Sequence, residues 1–265
     1  MKSIDDNLGA ISSPLSARPA VMGGLGGIHA LLFAAGLGSR LKPWTDRHPK
    51  ALAMVNGKSL LQRNILYLQE YGIYDVIVNV HHFAEQIIDA IQKNDGWGSR
   101  VTISDETEGV LETGGGLQKA GWYFDGQNDF IVMNVDILTN MDLSAMIKQH
   151  QQKKSLATLA VSQRETSRYF LFNDQAILCG WRNVKTGEEK IVRNADTFFQ
   201  KAFSGIHVIN SELLALMKQK GKFSMVDVYL DLANKHQINA FDHTGAKLID
   251  VGKPESILLA QTIFP

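Results

Sequence analysis

From position 28 onward apolar residues fall into two patterns that alternate along the chain: short β-branched runs bounded by polar turns, and longer stretches with the spacing of an amphipathic helix. The first run, 28–33, predicts a strand. Residues 60–71 predict a helix, 75–80 a buried strand and 83–93 a second helix. Strands follow at 101–104 and 130–135, then a helix over 143–152 and a strand over 156–161. Strands separated by helices of this length imply βαβ crossovers, so the expected class is α/β with a mainly parallel central sheet flanked by helices. Ligands of such sheets bind beyond the carboxyl ends of the strands.

From position 169 the pattern becomes β-rich, with runs at 169–172, 175–181 and 198–208 joined by polar turns. Helices are expected over 212–218 and 226–236, then a strand ending at Asp250 and a last helix opening at Pro254, whose fixed φ suits a first turn. No internal repeat is found, and no hexapeptide ladder that would add a left-handed β-helix. Residues 1–27 differ in kind: Ser, Pro, Asp and Gly are frequent, and no seven-residue apolar core of a secretory signal is present. They are expected to form a poorly ordered extension, with Met22 an alternative initiator, ahead of a single domain over 28–265.

Composition narrows the partners. In 265 residues, 27 Lys and Arg balance 27 Asp and Glu, so no global basic field exists to hold nucleic acid or an anionic membrane. Any anion must be bound locally. The single cysteine, Cys179, excludes an internal disulfide and most zinc sites and is read as a buried hydrophobe. No apolar stretch approaches the roughly twenty residues of a membrane span. A soluble, cytoplasmic protein is expected, monomer or dimer.

The densest chemistry lies at 34–50, A-A-G-L-G-S-R-L-K-P-W-T-D-R-H-P-K, directly after the first strand. Glycine lets backbone N–H groups close on an anion, and Arg40 and Lys50 carry the charge that phosphate oxygens need. A dinucleotide fingerprint would need a third glycine where Leu41 stands, and a Walker loop ending in Gly57-Lys58-Ser59 would need one at Leu52. Neither motif is present. Asp136 follows the run 130–135, and Asp250 ends another strand; such carboxylates suit Mg²⁺ when phosphates are near, because Mg²⁺ takes one or two carboxylates and fills its other places with water and phosphate oxygen. Their convergence requires both strands to end at one crevice. Glu112-Thr113-Gly114-Gly115-Gly116 is expected to form a loop on which a flat group lies, with Glu112 or Thr113 reading its polar edge. Gly205, inside a strand, marks close approach of a ligand or of another backbone. His81 and His82 lack a third ligand at metal spacing, and Trp44, Trp97, Trp122 and Trp181 are taken as packing residues.

With these residues assembled, the chain resembles the sugar-1-phosphate nucleotidyltransferases. Their signature, G-x-G-[ST]-R, then L-x-P-x-T, then P-K-x-L, is matched from Gly36 through Leu52, and Asp136 and the terminal D-V-G-K-P-E follow in the family's order. The E-T-G-G-G and F-S-G-I segments look most like the N-acetylmuramate-1-phosphate uridylyltransferases, with mannose- or heptose-1-phosphate guanylyltransferases as close relatives. The metal Asp is preceded by Asn-Val where the family commonly has Gly.

The resemblance implies a Rossmann-like core, with a nucleotide-binding part over about 28–165 and a β-rich sugar-binding part over about 166–265. It implies in-line attack of a sugar 1-phosphate on the α-phosphorus of an NTP, with Mg²⁺ held by Asp136 and Asp250 and with Arg40 and Lys50 as catalytic cations. Ala35, Gly36, Leu37, Gly38, Ser39, Arg40, Lys50, Glu112, Thr113, Gly114 and Gly115 are implied to hold the nucleotide, and Asn134, Gly205 and Asp250 the sugar phosphate. A catalytically silent sensor of nucleotides or sugars is the alternative from another class, and a phosphocholine-type acceptor the alternative within the enzyme reading.

Overall fold

The computed structural model describes residues 27–265, so the extension expected at 1–27 lies, but for its last residue, outside the described residues. The chain enters through β1 (His29–Phe33), passes three 3₁₀ turns between Ser39 and Leu52, and makes a hairpin of β2 (Met54–Val55) and β3 (Lys58–Ser59). There follow α1 (Leu60–Glu70), β4 (Asp75–Val80), α2 (Ala84–Lys93), β5 (Arg100–Asp105), α3 (Glu112–Ala120), β6 (Asp129–Asn134), β7 (Ile137–Thr139), α4 (Leu143–Lys153) and β8 (Ala157–Ser162). The remainder is β9 (Arg168–Phe172), β10 (Leu178–Asn183), β11 (Glu188–Ile191), β12 (Phe199–Asn210), α5 (Glu212–Leu216), α6 (Met225–Ala233), β13 (Ile238–Asp242), β14 (Leu248–Asp250) and α7 (Pro254–Ile263).

A ten-stranded sheet organises these elements. Its core, β6-β1-β4-β5, is parallel, with Phe33 in register with Asn134 on one side and Asn79 on the other. The sheet as a whole is mixed, because β12 runs antiparallel to β6, β8 and β9 and carries the C-terminal hairpins β9-β10 and β10-β11. Both faces of the core are covered, which is why its strands read as unbroken apolar runs. Ala30, Leu32, Val76 and Val78 point to the layer that includes Leu61, Ile65 and Ile87, while Leu31, Phe33, Ile77 and Val132 point to the layer with Leu117, Phe124 and Tyr229. Side chains alternate across the pleat, so each strand serves both cores.

Helix starts follow capping chemistry. Ser59 Oγ accepts from Gln62 N, Asp142 Oδ1 from Ala145 N and Ser224 Oγ from Asp227 N, each occupying one amide that a first turn leaves unpaired. Gly57-Lys58-Ser59 is thus the far side of a hairpin turn and a helix cap. Cys179 is fully buried as expected. Trp44 and Trp122 are not packing residues of a core: they are 36% and 58% exposed. No helix among the described residues is long and apolar enough to cross a membrane.

Candidate active site

At the carboxyl ends of β1, β4 and β6 lies a cavity of about 430 Å³, within the range of small-molecule sites. Its lining includes Gly36, Gly38, Ser39, Arg40 and Lys50 on one side and Glu112, Thr113, Asn134 and Asp136 on the other. The loop leaving β1 owes its shape to Gly38, in the left-handed region at φ 62°. A Cβ there would stand 2.9 Å from Thr45 Cγ2 and 3.0 Å from Lys50 Cβ, and Thr45 Oγ1 donates to Gly38 O at 2.9 Å. The glycine, Thr45 and Lys50 therefore form one packed unit.

Lys50 is 8% exposed, and its Nζ donates to Asp136 Oδ2. Asp136 stands in the turn between β6 and β7, and Asp250 ends β14, whose pairing with β7 sets Asp250 against Ile137. A backbone bond from Val251 N to Asp136 O, 2.8 Å, closes the join. The backbones that carry the two strand-end aspartates are thus adjacent, but Asp136 lines the cavity and Asp250 does not. Arg40 reaches Asp250 from the loop, with Nη2 3.7 Å from Asp250 Oδ2. Gly252 makes room for that approach: a Cβ would lie 2.7 Å from both Arg40 Nη2 and Asp250 Oδ1.

The Glu112–Gly116 segment is not the expected loop. It forms the first turns of α3, entered through Glu112 at φ 60°. The three glycines are demanded by three neighbours: a Cβ on Gly114 would strike the Phe223 ring, one on Gly115 would strike Gly221 O, and one on Gly116 would stand 2.7 Å from Glu106 Oε1. The face expected to carry a flat group is occupied by the protein. Gly114 and Gly115 do not line the cavity, whereas Glu112 and Thr113 do. Glu112 lies 3.6 Å from Lys222, and Thr113 Oγ1 accepts from Met225 N at 3.0 Å. Leu37 is 53% exposed and also outside the lining. Gly205, at φ 74° in the irregular stretch of β12, abuts Asn134: a Cβ would come within 2.8 Å of Asn134 Nδ2.

Among the lining residues that the sequence reading did not assign to the site are Asn79, Glu106 and Gly252. Asn79 Oδ1 accepts from Ala34 N at 2.6 Å and Ala35 N at 3.2 Å, and its Nδ2 donates to Glu106 Oε1 at 2.7 Å. Burial pushes the Glu106 carboxyl above the usual carboxylate range, while the Asn79 amide, the Leu111 amide, Lys119 and His81 pull it down. The only signal in the sequence was a polar residue within the apolar run D-V-I-V-N-V.

A family model described as nucleotidyl transferase matches residues 29–264. The chain belongs to that family. Several of its relatives carry the names of sugar-1-phosphate nucleotidyltransferases. It is 27% identical to the N-acetylmuramate alpha-1-phosphate uridylyltransferase of Caulobacter vibrioides over 88% of this chain and 95% of that protein. It is 37% identical to the Neisseria meningitidis enzyme of the same name over 116 residues, 44% of this chain and 50% of that one. Mannose-1-phosphate guanyltransferase 2 of Candida glabrata is 25% identical over 88% of this chain and 64% of its own length. Among solved structures, HddC from Yersinia pseudotuberculosis in complex with GMP-PN superposes with a TM-score of 0.70 at 25% identity, covering 90% of this chain and 100% of that one.

Proposed function

We propose that this nucleotidyltransferase joins an NTP to a sugar 1-phosphate with release of pyrophosphate, the favoured pair being UTP and N-acetylmuramate α-1-phosphate or a related hexosamine 1-phosphate. The observation that carries the reading is that Gly36, Gly38, Ser39, Arg40, Lys50 and Asp136 line one cavity, with Lys50 bound to Asp136 and Arg40 beside Asp250. A phosphate monoester is already largely ionised near neutral pH, so the sugar phosphate oxygen attacks the α-phosphorus without a strong general base. The bond from α-phosphorus to the bridging oxygen breaks as the new one forms. Catalysis is then positioning and charge neutralisation.

In this reading the amides of Gly36, Leu37 and Gly38, which no hydrogen bond among the described residues engages, face the triphosphate. Arg40 steadies the pyrophosphate, and Lys50 leaves Asp136 to neutralise the α-phosphate or the sugar phosphate. The donor set fits a divalent ion. Asp136 and Asp250 are brought together by β7 and β14, and Asp250 Oδ1 is buried without a hydrogen-bond partner among the described residues. Among them no group of three or more His, Cys, Asp or Glu forms a closed metal site, so two carboxylates would hold Mg²⁺ with substrate oxygens and water completing its sphere. When bound, the ion supplies further neutralisation of the reacting phosphates. The sheet core over 28–165 serves the nucleotide in this scheme, and Asn134 and Gly205, with the 166–265 part, serve the sugar.

The uridylyl preference is supported by the Caulobacter relative, matched over nearly its whole length, and by the E-T-G-G-G sequence. The guanylyl reading is the second, favoured by the nucleotide named in the HddC complex. Pyrophosphate release measured for UTP, GTP, CTP and dTTP against a panel of sugar 1-phosphates separates them. UTP with N-acetylmuramate 1-phosphate should win by a large margin in kcat/KM, because a base edge left unpartnered in a closed site is penalised strongly. Faster turnover with GTP and mannose 1-phosphate refutes the uridylyl preference.

A further inference from the structure

We propose that Asn79 and Glu106 are positioning residues, a buried amide–carboxylate strut that decides which backbone amides of the loop after β1 face the nucleotide. The inference rests on the reading of the cavity as a nucleotide site. Asn79 is the penultimate residue of β4, opposite Phe33, and is 2% exposed, and Glu106 follows β5 and is 1% exposed. Buried side chains of this kind must place every donor against an acceptor. Both Glu106 carboxyl oxygens act as acceptors, Oε1 facing Asn79 and Oε2 facing Leu111 N. Asn79 must therefore turn Nδ2 toward Glu106 Oε1, 2.7 Å away, and present Oδ1 to the loop, where it accepts from Ala34 N and Ala35 N.

Two consequences follow for the loop. The amides of Ala34 and Ala35 point inward, so Ala35 is removed from the donors that an anion can use. The chain is left to turn outward from Gly36, and the amides of Gly36, Leu37 and Gly38 become the donors. Glu106 Oε2 also accepts from Leu111 N at 3.4 Å, which ties the start of α3 to the same strut. Gly116 closes it from behind, since a Cβ would stand 2.7 Å from Glu106 Oε1 and 3.0 Å from Asn79 Nδ2. One buried pair thereby sets the β1 loop and the Glu112–Thr113 wall at a fixed separation across the cavity.

The polarity of the strut supplies its test. N79D sets two carboxyl groups face to face, and E106Q gives the carboxylate position a donor that opposes either Asn79 Nδ2 or Leu111 N. In N79D/E106Q every bond is remade, with only the one between the two side chains reversed: the new carboxylate accepts from the loop amides and from the new side-chain amide, whose oxygen accepts from Leu111 N. Each single variant should raise KM for the NTP about tenfold to a hundredfold, the loss expected for a buried charge-assisted hydrogen bond, with KM for the sugar phosphate nearly unchanged. The double variant should return to within about threefold of the wild-type value, because the coupled pair is non-additive. Amide hydrogen exchange at Ala34 and Ala35 should quicken in the single variants and slow again in the double. Wild-type KM and exchange in both single variants, or a folded double variant no better than the worse single one, overturns the proposal. If a single variant does not fold, the double variant decides alone, by KM for the NTP and protection of the two amides. Absence of turnover by the wild-type protein with every NTP would instead refute the nucleotide reading, and the exchange rates would still report on the strut.

Discussion

Gly36 and Gly38 belong to one loop, yet substituting each by alanine should fail in a different way. At Gly38 an alanine meets two costs. The left-handed backbone at φ 62° costs an L-residue about 1–2 kcal/mol. A Cβ 2.9 Å from Thr45 Cγ2 and 3.0 Å from Lys50 Cβ adds an overpacking term of about 1–3 kcal/mol. G38A should therefore lose about 2–5 kcal/mol, which for a domain of this size lowers Tm by about 4–20 °C. Because the clash bears on the Lys50 stem, kcat should fall as well. At Gly36 nothing lies within 4 Å of a Cβ and φ is unstrained, so G36A should melt like the wild type or slightly higher, the unfolded chain having less freedom to lose. It nevertheless lines the cavity, and if the loop cradles phosphate as proposed, a methyl group there should raise KM for the NTP. Melting curves and initial rates on the same preparations make the comparison. A G38A protein with wild-type Tm refutes the packing argument, and a G36A protein with wild-type KM refutes the placement of the triphosphate.

Three further outcomes are expected. D136N keeps an acceptor for Lys50 while removing metal charge, so it should stay folded and lose about 10²–10³ in kcat, and Mg²⁺ should no longer raise its Tm in the presence of nucleotide; unchanged turnover, or activity of the wild type in excess EDTA, would falsify the metal assignment. G205A forces a Cβ against Asn134 Nδ2 and Ile137 Cγ1 at φ 74°, and should raise KM for the sugar phosphate more than KM for the NTP; an equal rise in both contradicts a sugar-side position for this glycine. His207 is fully enclosed with Nδ1 2.5 Å from the Tyr229 hydroxyl, and burial depresses its pKa to about 3. Since the unfolded chain takes up this proton near pH 6.5 and the folded one does not, stability should decline as pH falls from about 6.5 toward 3, a slope that His207→Gln reduces in urea titrations if this histidine is its source.

The sheet core was legible because its strands are apolar on both faces and bounded by polar turns: β4 spans the residues expected, and β1 differs by one. The start of α3 was not. Glycine disfavours helix, and only Phe223, Gly221 and Glu106, distant in sequence, make it obligatory there. The strand Ile238–Asp242 was not separated from the one strand expected between the helix ending at 236 and Asp250, since a short strand paired in parallel with β8 carries little periodicity of its own. In the site, Arg40 and Lys50 stood out as cations accompanying a glycine loop, and Asp136 and Asp250 as carboxylates at strand ends. Asn79 and Glu106 did not, because their partners are loop amides and each other, and a hydrogen bond to backbone leaves no pattern in side-chain identity.

The pairing of β7 with β14 also sets an order of events in the life of the chain. Asp250 and Gly252 lie close to the C-terminus, which is anchored by bonds from Asn56 Nδ2 to Gln261 O and Phe264 O. During synthesis the loop, Lys50 and Asp136 emerge long before their counterpart. In the proposed reading, nucleotide and metal cannot lend the nascent chain their full binding energy until Asp250 has emerged, and the sheet must stand on its own cores until then. A chain cut short before Asp250 would keep much of its fold while lacking half of its carboxylate pair.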